Sequence, residues 1–203
     1  IVIEDAAQAI GSYYKGKALG SIGHLACLSF HETKNIISGE GGALLINDIS
    51  YAQRAEHIRE KGTNRTEFYQ GKIDKYSWVD LGSSYLPGEI IAAFLWAQLN
   101  KEKEITSQRL KIWKNYNNFF KRFAKQKKII TPNIMDKNKS NGHIFYILLR
   151  DLSDRNQFIS YMKKHEIFCL FHYIPLHSSP FGKKISKKPS SLPITENVYK
   201  RLV

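Results

Sequence analysis

The sequence predicts an α/β layer with a smaller α/β appendage, and three observations predict it. Apolar runs of strand length recur at "IVIED" (1–5), "LACLSF" (25–30) and "ALLI" (43–46). A helical pattern follows the third run, and strands alternating with helices argue for layered α/β structure. A polar Asn/Lys-rich linker at 132–141 then precedes a fresh strand–helix–strand pattern. The expected division is therefore 1–131 and 132–203.

The first run reads as the end of a buried strand that delivers Asp5 at its carboxyl edge. A short turn with Ala6, Ala7 and Gln8 leads to a Gly-punctuated hairpin, "YYKGKALGSIGH", and then to "LACLSF". The glycines of "SGEGG" open the 43–46 strand, which Asn47-Asp48 closes. A helix is expected from a Ser50 cap to about Lys61, with Ala52, Ala55 and Ile58 at helical spacing. Residues 88–123 read as one long helix or a helical pair whose stripe, Leu110, Trp113, Tyr116, Phe120 and Phe123, serves a core or an interface. Beyond the linker, "HIFYILL" reads as a strand, 154–165 as a helix, "IFCLFHY" as a second strand and 195–203 as a helix.

Composition bounds the function. The 203 residues are 42% hydrophobic and 24% charged, a globular balance, and no apolar run approaches the roughly 20 residues of a membrane span. A cytoplasmic protein with no membrane partner is expected. Cys27 and Cys169 lie far apart in apolar runs, which suits buried thiols, and no metal-ligand spacing occurs. Thirty-one basic against eighteen acidic residues give +13, suited to an anionic small molecule or to nucleic acid. Much of the excess lies at Lys121, Arg122, Lys125, Lys127 and Lys128 and in a loose tail with Lys183, Lys184, Lys187 and Lys188.

The chemistry gathers around Lys34 in "SFHETKNIISGEGG" (29–42). Ser29 and His31 flank Phe30 in strand alternation, so they share a face while Phe30 turns to the other. Glycines 39, 41 and 42 permit positive φ or close backbone approach. An amine, a carboxylate and a hydroxyl beside small residues form the set that pyridoxal phosphate demands: a lysine for the Schiff base and an Asp to keep the ring nitrogen protonated.

"EDAAQ", "SFHETKN" and "GEGGALLIN", in this order and spacing, resemble the DegT/DnrJ/StrS family of sugar-nucleotide aminotransferases. "IREKGTNR", "DKYSWVDLGSSYL" and "FHYIPLHSSP" resemble its branch that makes TDP-4-amino-4,6-dideoxygalactose for a cell-surface polysaccharide. The resemblance implies a pyridoxal-phosphate transferase of fold type I, aspartate aminotransferase-like, with glutamate and a nucleotide-linked 4-keto-6-deoxysugar as substrates. It implies a homodimer with shared active sites and no nucleic-acid partner. Lys34 would be the Schiff-base lysine and proton carrier, Asp5 the ring-nitrogen partner, Gln8 a contact on the phenolic-oxygen side and Ser29 a phosphate ligand. His31, Tyr85 and His177 would contact substrate. Leu86 stands where many members carry a phosphate-binding Asn from the neighbouring subunit, so Ser83, Ser84 or Tyr85 would substitute. The chain would be a fragment lacking the family's N-terminal part and inactive alone. Three rivals remain: a basic nucleic-acid-binding domain, against which no recognised binding signature occurs; a sister sugar aminotransferase that takes another nucleotide sugar; and a sugar dehydratase, which would carry His in place of Lys34.

Overall fold

The computed structural model describes residues 1–186 and 191–203, and Lys187 and Lys188 lie outside them. The chain divides into two compact units, Ile1–Leu110 with Ile134–His143, and Lys111–Asn133 with Ile144–Val203.

In the first unit, β1 (Ile3–Asp5) leads into the hairpin β2 (Tyr13–Tyr14) and β3 (Lys17–Ala18). Its two-residue loop holds Lys15 at φ 49° and Gly16 at φ 80°, and positive φ at both positions matches the twist of an antiparallel pair. β4 (Leu25–Ser29) pairs parallel with β1 and antiparallel with β5 (Gly42–Ile46), giving the order β1-β4-β5. Alternation along this register puts Ile3, Asp5, Leu25, Cys27, Ser29 and Leu44 on one face, with Glu4, Ala26, Leu28 and Leu45 on the other. Ala26 is wholly buried. Gly20 closes over that side at φ 94°, where a Cβ would lie 2.8 Å from Leu45 Cδ1. The opposite face is open: Ile3 and Leu44 are exposed. Cys27 is exposed with them, which corrects the expected buried thiol; the register assigns it to the side away from Ala26.

The helix after β5 starts differently from expectation. Asp48, not Ser50, is the cap: its Oδ1 accepts from Ser50 N at 3.0 Å and Ser50 Oγ at 2.8 Å. These bonds hold the Asp48 carboxyl below its usual range. A 3-10 turn, Ile49–Tyr51, runs into α1 (Ala52–Arg59), and α2 (Arg65–Tyr69) follows. The long helical stretch is a pair, α3 (Glu89–Asn100) and α4 (Glu102–Lys125), broken at Lys101. β6 (Asn138–Lys139) joins β2 to complete a second small sheet, β3-β2-β6.

In the second unit, Trp113 is buried and donates its indole N–H to Ile144 O at 3.0 Å. Tyr116 and Phe120 stack on Phe145 at 5.6 and 5.8 Å; of the α4 stripe Trp113 alone is buried, and Tyr116 stays exposed. α5 (Leu152–Lys164) is capped by Asp151, whose Oδ1 accepts from Asp154 N. α6 (Pro180–Ile185) occupies part of the expected loose tail and includes Lys183 and Lys184; α7 (Pro193–Arg201) begins with a proline, the residue best suited to the first turn. Two expected strands are absent among the described residues. Residues 143–149 make only isolated bridges, Leu148 with Ile130 and with Leu202. Residues 167–173 form no ladder among the described residues, and Phe168 and Tyr173 are 89% and 88% exposed. Aromatic and β-branched composition favours a strand only where a partner supplies hydrogen bonds. Among the described residues, no helix is long and apolar enough to cross a membrane.

Candidate active site

Parallel pairing of β1 and β4 brings their carboxyl ends to one sheet edge, where open α/β sheets receive ligands. Asp5 ends β1 and Ser29 ends β4; Asp5 stands opposite Cys27, two positions short of Ser29, and both belong to the open face. Gly42 begins β5 opposite Ser29, and a Cβ there would lie 2.9 Å from Leu28 O, so no larger residue fits without a shift.

The loop between β4 and β5 carries Lys34 at this edge. Phe30 N donates to Gly41 O at 2.9 Å, Glu32 N to Gly39 O at 2.8 Å and Ser38 N to Phe30 O at 2.7 Å, which closes the loop on itself. Gly39 at φ 84° and Gly41 at φ 155° make the return; a Cβ on Gly41 would lie 2.6 Å from Ser38 Oγ. Phe30, Asn35, Ile36 and Ser38 are buried and anchor it. Lys34 is half-buried, with its backbone N bonded to His31 O at 2.9 Å. The loop is thus anchored at four buried positions, while Glu32, Thr33, Gly39, Glu40 and Gly41 are exposed and Lys34 lies between the two groups.

The donor set fits pyridoxal phosphate. Asp5 Oδ1 accepts one N–H, from Ala7 at 3.2 Å, which leaves the second carboxylate oxygen for a ligand. Ser29 Oγ accepts from His31 N at 3.3 Å, so its own hydroxyl proton is free to donate to an anion. A carboxylate for a cationic ring nitrogen, a hydroxyl for phosphate and an amine for the aldehyde are all present in one unit.

The other sequence-predicted residues distribute as follows. Gln8 lies exposed on the turn after β1. His31 sits at the start of the Lys34 loop, its Nδ1 2.9 Å from Thr33 Oγ1 and its Nε2 3.6 Å from Glu40 Oε1. Tyr85 is 67% exposed and, with Leu86, Leu25, Leu44, Tyr51 and Arg54, lines a groove of about 780 Å³. His177 belongs to the second unit, in the 3-10 turn Leu176–Ser178, and pairs with Glu196 at 2.8 Å.

Sequence reasoning missed the polar cluster behind Lys34. Asn35 Nδ2 donates to Asn141 O at 3.1 Å, and Asn35 Oδ1 lies 2.8 Å from His143 Nδ1. Because Asn35 presents its oxygen there, the neutral His143 ring carries its proton on Nδ1. Burial, then the nearby Arg109 and Lys34 charges, push the His143 pKa down, so the ring is neutral at neutral pH. These partners are over a hundred positions apart in sequence, and no local motif announces the contact.

Residues 1–203 match the DegT/DnrJ/EryC1/StrS aminotransferase family. "Uncharacterized protein MJ1066" of Methanocaldococcus jannaschii is 35% identical across 98% of this chain and 53% of its own length. The UDP-4-amino-4,6-dideoxy-N-acetyl-beta-L-altrosamine transaminase of Campylobacter jejuni is 30% identical across 91% of this chain and 47% of its own. Among solved structures, DesV of S. venezuelae superposes with a TM-score of 0.84 at 27% identity, covering 98% of this chain and 50% of DesV. The chain spans about half the length of the curated relatives it matches.

Proposed function

Because the chain belongs to the DegT/DnrJ/EryC1/StrS aminotransferase family, we propose that a full-length protein carrying it transfers an amino group from glutamate to C4 of a nucleotide-linked 4-keto-6-deoxysugar. The observation that carries this reading is the placement of Asp5 and Ser29 on one face and edge of the β1-β4-β5 sheet, with Lys34 on the loop that leaves that edge.

Pyridoxal phosphate is the cofactor that family membership indicates; when bound, it supplies an electron sink beside the carbon that loses or gains a proton. Lys34 would hold it through Nζ and would serve as the proton carrier. Asp5 would keep the ring nitrogen protonated through its carboxylate, Gln8 would contact the phenolic-oxygen side, and Ser29 would donate to the phosphate. His31, Tyr85 and His177 are the substrate contacts, and the working unit is a homodimer with shared sites. The net charge of +13 favours both anionic substrates, glutamate and the nucleotide pyrophosphate.

The substrate we assign is TDP-4-keto-6-deoxyglucose, and the product is the galacto epimer. The test offers TDP- and UDP-linked 4-keto-6-deoxysugars with glutamate to the full-length enzyme and determines the C4 configuration of each product. TDP-4-keto-6-deoxyglucose should react fastest and give the galacto product. Preference for a UDP-linked sugar, or a product with the gluco configuration at C4, would overturn the substrate assignment.

A further inference from the structure

We infer that Asn141 is a positioning residue that ties the turn carrying Gln8 to the loop carrying Lys34, so that the two halves of the cofactor site hold one geometry. The inference rests on the proposed pyridoxal-phosphate site and extends it to a residue that touches neither cofactor nor substrate.

Asn141 is 3% exposed, and its amide is almost fully used. Nδ2 donates to Gln8 O and to Ile10 O, both at 2.8 Å, and Oδ1 accepts from His143 N at 3.1 Å. Among the described residues, no other hydrogen bond reaches the Gln8 and Ile10 carbonyls. At its backbone, Asn141 O accepts from Asn35 Nδ2, and Asn35 is the residue after Lys34. His143 Nδ1 closes the ring by donating to Asn35 Oδ1. One buried residue therefore bonds the segment just past Asp5 through its side chain and the residue beside Lys34 through its backbone.

The tie is itself clamped. Gly142 adopts φ 66°, which turns Asn141 and His143 toward the same network, and a Cβ there would lie 3.1 Å from Arg109 C and Leu110 N. Arg109 Nη2 donates to His143 O at 3.0 Å, so the turn is held against α4. Buried amide networks with most of their bonds made favour a single arrangement because each broken bond strands a desolvated partner. Residues so connected fix position within the few tenths of an ångström that a catalytic constellation requires.

The experiment uses the full-length holoenzyme with Asn141→Leu, which fills the site but cannot donate, and Asn141→Ser, which keeps one donor. Two properties of the folded, cofactor-bound fraction are read: the affinity for added pyridoxal phosphate and the pH midpoint of the bound cofactor's visible band. Asn141→Leu should bind the cofactor roughly 10-fold more weakly, as expected when one site-setting interaction is lost, and its band midpoint should shift. Asn141→Ser should recover part of both. A purely structural role would lower the melting temperature and leave affinity and midpoint of the folded fraction unchanged; that result overturns the inference, as does failure of both variants to fold. Borohydride trapping on the parent enzyme separates the two levels. An adduct away from Lys34 sinks the cofactor-site reading, whereas an adduct on Lys34 with unmoved Asn141 variants sinks only the tie.

Discussion

Replacing Glu4 by Gln tests how the strand that ends in Asp5 is held. Glu4 Oε2 accepts from Gly20 N at 2.8 Å, while Oε1 accepts from Ile22 N at 2.7 Å and Gly23 N at 2.6 Å. The bond from Gly23, then that from Gly20, with a lesser one from Ile22, hold its carboxyl below the ordinary glutamate range against the opposing effect of burial. A carboxylate with a lowered folded-state pKa contributes stability that is fully present above the unfolded value and disappears as pH falls through the folded one. In Glu4→Gln the remaining oxygen still faces two N–H groups, but the new NH2 meets the third donor. Hydrogen bonds to a charged group contribute about 1.5–3 kcal/mol each. Water reaches this site and replaces part of that, so the expected loss is about 1–2 kcal/mol at pH 7. For a chain of this size the loss lowers the melting temperature by about 2 to 8 °C. Thermal unfolding of both proteins from pH 7 to pH 3 is the assay. The gap should close below about pH 4, because the parent loses its charge while Gln does not titrate and every other carboxylate is common to both. A gap that is absent at pH 7, or constant down to pH 3, would refute the reasoning.

Three further substitutions probe the frame and the chemistry. Ile36 is wholly buried two residues from Lys34, so Ile36→Ala should cost about 2–5 kcal/mol by cavity formation, read by urea denaturation; a loss under about 1 kcal/mol would mean that the loop is not anchored there. Gly62 has φ 75°, and a Cβ on it would collide with the Asp80 carbonyl. Gly62→Ala should therefore disturb the bonds from Val79 N and Asp80 N to Gly62 O and destabilise by more than about 1 kcal/mol, measured as a fall in melting temperature. Asp5→Asn in a full-length enzyme should still bind the cofactor but slow transamination on the order of 100-fold, because the ring loses its charged partner; near-normal kcat would contradict that role.

Much of the frame around Lys34 was legible because it follows from local pattern. The alternation Ser29-Phe30-His31 points Phe30 inward, and Phe30 is 4% exposed. The glycine spacing at 39–42 announces a tight return, and two of those glycines have positive φ. Periodicity in 88–123 reports helices but hides the break at Lys101, where neither Gly nor Pro marks the stop. What was illegible depends on partners distant in the chain. Nothing near Asn141 indicates that it bonds residues 8 and 10 across more than 130 positions. "HIFYILL" and "IFCLFHY" have strand composition, yet a strand also needs a ladder partner, which composition does not supply. Asp48 and Ser50 are both good caps; the backbone geometry of Asp48 decides between them.

The central claim, that this sheet edge presents its reactive amine through Lys34, is tested most directly by borohydride reduction of a full-length enzyme loaded with pyridoxal phosphate, followed by peptide mapping. The account predicts loss of the visible band together with a stable cofactor adduct on Lys34, and no such adduct in Lys34→Ala. A reduced adduct mapped to any other lysine, with Lys34 unmodified, would contradict it.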